Sequence, residues 1–122
     1  MMIHFKEELV SKALQLIDAH GLADAANDLG LIQSAIDGVK LYGNTQSATI
    51  LNEMLRRKYP TIKIMLDVAN TMPRFKLGAA TANHSDFTII DAMQQDRCGI
   101  LCDVLLKKGI IQSAEQFIDG TN

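Results

Sequence analysis

Apolar residues recur at helical spacing along most of the chain, and glycines and prolines separate the resulting segments. In the first segment, Phe5, Leu9, Val10, Leu14 and Ile17 fall three or four residues apart or side by side, which is typical of a helix with one buried face. The whole pattern predicts seven or eight short helices, at residues 5–19, 22–29, 31–42, 45–58, 61–71, 86–95, 98–108 and 114–118. Residues 73–85 are predicted to form a loop. The pattern therefore predicts an all-α fold.

Residues that cap or stop helices set the predicted boundaries. Gly21 is expected to take the left-handed cap position after the first helix, and Gly30 and Gly43 to end the second and third. Pro60 ends the fourth, because the residue before a proline avoids the helical conformation. Ser113, with a glutamine three residues later, forms a capping-box pattern that predicts the last short helix.

The helix predicted at residues 45–58 has the clearest division into faces. Its buried stripe is predicted from four apolar residues, with Ile50 on the flank of the stripe. These four are Ala48, Leu51, Met54 and Leu55.

The composition favours one compact domain at residues 1–122. The hydrophobic fraction is 48%, which is enough for a core, whereas aromatic residues make up only 5% and tryptophan is absent. A core built from Leu, Ile, Ala, Val and Met suits closely packed helices better than a sheet. We therefore expect the helices to pack as antiparallel helical hairpins.

The segment from Thr88 to Gly109 combines a threonine, a first helix and a second helix that ends in an apolar run, two lysines and a glycine. It resembles one ankyrin repeat, whose unit of about 33 residues opens with Thr-Pro-Leu-His and consists of a turn and two helices. Five apolar residues fill the places of the second helix: Leu101, Cys102, Val104, Leu105 and Leu106. The segment departs from the family at Ile89, Asp91 and Arg97, where proline, histidine and the turn glycine stand. The resemblance implies an ankyrin-like hairpin of two short helices at the C-terminal end.

Charge and residue usage exclude several functional classes. The formal net charge is −2, so the chain has no overall attraction to nucleic acid or to an anionic membrane. The apolar runs are far shorter than the ~20 residues that span a bilayer. Isolated glycines form no phosphate-binding loop, and the cysteines and histidines form no complete metal site, so we expect no cofactor and no metal. We expect a cytoplasmic protein, with export by a non-classical route left open.

These observations favour a non-catalytic module that binds another protein as an adaptor, a regulatory subunit or an inhibitor. The predicted loop supplies the candidate partner-binding residues Met72, Arg74, Phe75 and Lys76, because loops carry binding groups and most of these residue types are enriched at interfaces. The apolar composition also permits a homodimer.

An alternative function, that of a helical nucleic-acid-binding regulator, rests on basic residues. The basic cluster Arg56, Arg57, Lys58 and Lys63 follows a polar helix start, as in some helical nucleic-acid-binding regulators, although cations at a helix end also oppose the helix dipole.

A third hypothesis is a small cysteine-dependent enzyme, in which Cys98 acts with His84 and either Asp86 or Asp91. Against it, Cys98 and Cys102 lie on one face of a predicted helix and suit the role of small buried hydrophobes. The sequence thus favours a protein without catalytic activity.

Overall fold

The computed structural model describes residues 3–71 and 85–121, and this part of the chain is mostly helical. Its elements are strand β1 (Ile3–Phe5), helices α1 (Glu7–Ala19), α2 (Ala23–Tyr42), α3 (Thr45–Lys58), α4 (Pro60–Thr71) and α5 (Ser85–Lys107), a 3₁₀ turn (Ala114–Gln116) and strand β2 (Ile118–Thr121). The all-α prediction is confirmed for these residues, with the addition of a small two-stranded sheet.

Helix α5 is the centre of the fold, since α1, α2, α3 and α4 all pack against it. Its buried residues follow one another with little regard to helical period, so that side chains on most sides of the helix are enclosed. The buried positions described in α5 are Met93, Asp96, Cys98, Gly99, Ile100, Leu101, Cys102, Val104 and Leu105. A helix surrounded by others needs apolar residues all round rather than one apolar stripe.

Gly99 allows the closest approach in this core. A side chain at Gly99 would overlap Cγ1 of Ile62, and its Cβ would lie 3.0 Å from the Cα atom of Ile62 on α4. Ile62 is fully buried. Glycine is therefore required here by the proximity of α4 and not by an unusual backbone conformation.

The two strands bring the two ends of the described chain together. β1 and β2 pair antiparallel, with His4 opposite Gly120 and Phe5 opposite Ile118. The ring centroids of Phe5 and Phe117 lie 4.9 Å apart, and the Phe117 side chain is fully buried. Neither strand was predicted, and the short helix predicted at residues 114–118 is wrong, because only the 3₁₀ turn forms before β2 begins.

The number of helices is also smaller than predicted, because two pairs of predicted helices are continuous. α2 runs through Gly30 without a break, and α5 runs through Arg97, where a turn was expected. Gly21, Gly43 and Gly109 take the positive φ values of helix ends, whereas Gly30 does not. Residues 88–107 thus form one helix where two were implied, and the resemblance to an ankyrin repeat itself stays a prediction.

Candidate functional site

Several large apolar side chains are exposed in the described structure. Five of them are more than half exposed: Leu41 (71%), Tyr42 (77%), Ile50 (54%), Met54 (58%) and Ile64 (52%). The first four lie on the hairpin that α2 and α3 form. We call these four residues the α2–α3 surface. Single exposed apolar residues are common on proteins, but several on one supersecondary unit indicate a contact region.

The two faces of α3 explain why Ile50 and Met54 are exposed. Ala48 and Leu55 are buried against the rest of the protein, as the sequence predicts. Ile50 and Met54 are four residues apart, so they share a face, and this face is turned away from the core. The prediction that Met54 belongs to the buried stripe is therefore wrong. Helix α3 carries one apolar face toward α2 and α5 and a second, smaller one toward solvent.

The turn between α2 and α3 positions the other two residues, Leu41 and Tyr42. Gly43 takes a left-handed conformation with φ 65° at the end of α2, and its N–H donates to the carbonyl oxygen of Val39. Leu41 and Tyr42 immediately precede this turn, in the last turn of α2. Their side chains consequently extend into solvent at the end of the hairpin.

A cluster of charged and polar groups fixes the other end of α3. The ammonium nitrogen of Lys58 lies 2.8 Å from a carboxylate oxygen of Asp24 and 2.8 Å from one of Asp28. The hydroxyl of Tyr59 donates to the same oxygen of Asp28, at 2.5 Å. Burial, and then the Asp28 carboxylate, raise the pKa of Tyr59, while the hydrogen bonds to Asp24 and Asp28 raise the pKa of Lys58. The Tyr59 hydroxyl is thus held as a neutral donor, which suits a structural role.

A second polar group lies between α3 and α5. The side chain of Asp96 is fully buried. Asn52 donates to it at 2.6 Å and the Nε atom of Arg56 lies 3.4 Å from its other oxygen. Burial raises the pKa of Asp96 to about 6, although Arg56 and Asn52 oppose the shift. No sequence pattern indicates this group, because an Asp next to an Arg resembles a solvated turn.

Carboxylates bind most of the basic residues that were considered for nucleic acid. Arg56 and Lys58 make the contacts just described, and Lys63 lies 2.8 Å from Asp67 one turn along α4. Arg57 is exposed. The four cations are therefore not presented as one unpaired patch, and nucleic-acid binding stays a prediction. The candidate loop residues Met72, Arg74, Phe75 and Lys76 lie outside the described residues.

The two cysteines are packed within α5. Burial raises the pKa of Cys98 to about 11 and that of Cys102 to about 12, which favours the neutral thiol of both residues near pH 7. Of the proposed acid–base partners, Asp91 is half-buried, while His84 and the side chain of Asp86 lie outside the described residues. These properties favour the packing role over the catalytic one.

Within residues 3–71 and 85–121, no group of three or more metal-ligating side chains is suitably placed to hold a metal ion. None of the helices described is both long and apolar enough to cross a membrane. No protein family, curated protein or solved structure matches the chain significantly.

Proposed function

We propose that this chain is a non-catalytic protein-interaction module, acting as an adaptor, a regulatory subunit or an inhibitor, and that it contacts its partner through the α2–α3 surface. The concentration of Leu41, Tyr42, Ile50 and Met54 on one hairpin carries the proposal. Full burial of an apolar side chain of this size contributes about 1.5–3 kcal/mol, so a partner that covers all four gains substantial binding energy.

The shape of this surface favours a macromolecular partner. Ile50 and Met54 project from the convex side of a helix, one turn apart, where a second helix or a flat protein face can pack against them. Small ligands, in contrast, bind in concave pockets that cover most of their area.

The residue types at the surface are also those of protein interfaces. Tyrosine and methionine are enriched at interface cores, and tyrosine is among the residues that dominate binding energy. Lys40 and Glu53 are exposed and adjoin Leu41 and Met54 in sequence, and the exposed Arg57 follows Met54 by three residues. Charged residues around an apolar centre form the polar rim that sets specificity and association rate.

A matched pair of double variants tests the proposal. Ile50→Asp with Met54→Asp places two charges on the α2–α3 surface. Leu31→Asp with Ile64→Asp places two charges at other exposed apolar positions of α2 and α4. We expect a specific protein partner, captured from cells by the wild-type chain, to be lost with the first variant and kept with the second.

Circular dichroism of both variants checks that each is folded. Equal capture by the two variants would contradict the proposed surface. Concentration-dependent self-association in sedimentation, removed by the first variant alone, would identify a second copy of the chain as the partner.

A further inference from the structure

Two pockets meet where the chain turns from α1 to α2, at some distance in sequence from the α2–α3 surface. The first, of about 290 Å³, lies against Leu14, Ile17 and Ala26. The second, of about 340 Å³, lies against Tyr59, Val104 and Lys108. Leu22 and Ala23 line both pockets, so the two adjoin at the start of α2. We call the pair the junction groove.

The walls of the junction groove are mostly apolar, and its carboxylates near α5 already have partners. Asp24 is bound by Lys58. Asp103 accepts a hydrogen bond from Thr61 at 2.8 Å and pairs with Lys107 at 3.0 Å. These groups therefore have little remaining capacity to bind a charged ligand.

Each of the two pockets has one charged residue outside these pairs. Lys108 lines the second pocket and is exposed, and no ion pair with another described residue includes it. Asp18 lines the first pocket, is likewise exposed, and forms no ion pair with another described residue. The second pocket thus has a positive charge available to a ligand, and the first pocket a negative one.

We propose that the junction groove binds a short peptide segment of a partner protein, with one apolar side chain in each pocket, an acidic residue beside Lys108 and a basic residue beside Asp18. Two adjoining pockets match a chain that supplies side chains in series, and the opposite charges of the two pockets fix its direction. This inference goes beyond the α2–α3 surface and shares no residue with it. A module with both sites can join two partners.

Selection from a displayed library of random peptides on the full-length chain tests the inference. We expect enriched peptides to carry two apolar residues with an acidic residue on one side. Ala26→Glu, which places a charge in the first pocket, is expected to weaken the selected peptide at least tenfold. Lys108→Glu is expected to weaken it about threefold or more, as for the loss and reversal of one exposed ion pair.

A charge exchange separates binding in this groove from general stickiness. Replacing the acidic residue of the peptide by lysine should restore affinity for the Lys108→Glu variant and reduce it for the wild type. Lys12→Glu, at an exposed position of α1 that does not line either pocket, is the control and should leave binding unchanged.

Three results would overturn the inference. One is the absence of any enriched peptide pattern. Another is binding that Ala26→Glu and Lys108→Glu leave unchanged. The third is occupation by something else: binding of a fluorescent fatty acid, or self-association of the chain, either of them abolished by Ala26→Glu. Each of these can occur while the double variants of the α2–α3 surface behave as proposed, so the two proposals fail separately.

Discussion

Replacement of Gly99 by alanine probes the packing of α4 against α5 with a single methyl group. The new methyl would overlap Cγ1 of Ile62 and lie 3.0 Å from its Cα atom, which belongs to the backbone of α4. Ile62 is fully buried, so its side chain has no open space into which it can move. The two helices must therefore separate or Ile62 must leave its preferred rotamer.

The expected magnitude follows from two opposing effects. Overpacking of a close-packed core costs about 1–3 kcal/mol. Alanine in place of glycine within a helix recovers roughly 0.5–1 kcal/mol. We expect Gly99→Ala to lower the free energy of unfolding by about 1–2 kcal/mol, which corresponds to a fall in Tm of roughly 4–8 °C for a domain of this size.

Gly30→Ala is the matched control for this experiment. Gly30 is also inside a helix, and a Cβ atom there has no neighbour within 4 Å. Since only the helix propensity changes, we expect Gly30→Ala to raise the free energy of unfolding by roughly 0.5–1 kcal/mol. Urea unfolding followed by circular dichroism measures both variants. Equal stabilisation by the two substitutions would refute the close contact between α4 and α5.

A double-mutant cycle identifies the group responsible. Ile62→Ala removes the Cγ1 atom that the new methyl would overlap. The cost of Gly99→Ala should therefore be smaller in the Ile62→Ala background than in the wild type. An unchanged cost would show that another group of the core opposes the methyl.

Three further predictions concern the buried polar groups and the thiols. Asp96 binds its proton more tightly in the folded state, with a pKa of about 6 against 3.8, so its contribution to stability is greatest at low pH and falls by up to about 3 kcal/mol as pH rises from about 4 to 6. Urea unfolding of the wild type and Asp96→Asn across this range isolates the effect, and a constant difference between them would contradict it. Tyr59→Phe removes the hydrogen bond to Asp28 and should cost about 1–3 kcal/mol, whereas Tyr42→Phe, at an exposed position, should cost almost nothing; equal thermal stability of both variants would exclude the structural role of the Tyr59 hydroxyl. Both cysteines should react slowly with iodoacetamide at pH 8 in the folded protein and rapidly in urea, and fast reaction of the folded protein would show that a thiol is accessible.

Local sequence signals predict the helix ends at which a glycine takes the left-handed conformation. Gly21 is predicted to end the helix that forms α1, and Gly43 the helix that forms the second part of α2. Both glycines take positive φ. The prediction that Gly30 ends a helix is wrong, because a glycine that remains helical looks the same in sequence as one that caps a helix. Only the surrounding packing distinguishes the two cases.

The centre of the fold was less visible in the sequence. Since four helices surround α5, its apolar residues do not follow one stripe, and the segment around Asp96 and Arg97 resembled a turn. The strands were missed because β1 has three residues and β2 four, and each is stabilised by a partner from the other end of the chain. Contacts between residues so far apart cannot be read from local periodicity.

The exposure of residues on the α2–α3 surface likewise depends on contacts that local periodicity does not reveal. The sequence predicts Ile50 on the flank of the helical stripe and Met54 in the buried stripe. Whether an apolar position on an amphipathic helix is covered depends on which neighbouring helix reaches it. Here α3 packs against α2 and α5, with Ala48 and Leu55 buried and Met54 more than half exposed.

Site-specific photo-crosslinking tests the proposed interaction most directly. A benzophenone amino acid placed at Tyr42 or at Ile50 lies on the α2–α3 surface, whereas the same group at Ser11 lies on an exposed part of α1. We predict that irradiation in cells links positions 42 and 50 to the same protein, and that position 11 gives no such product. Identical products from all three positions, or none from 42 and 50, would contradict a protein-binding role for this surface.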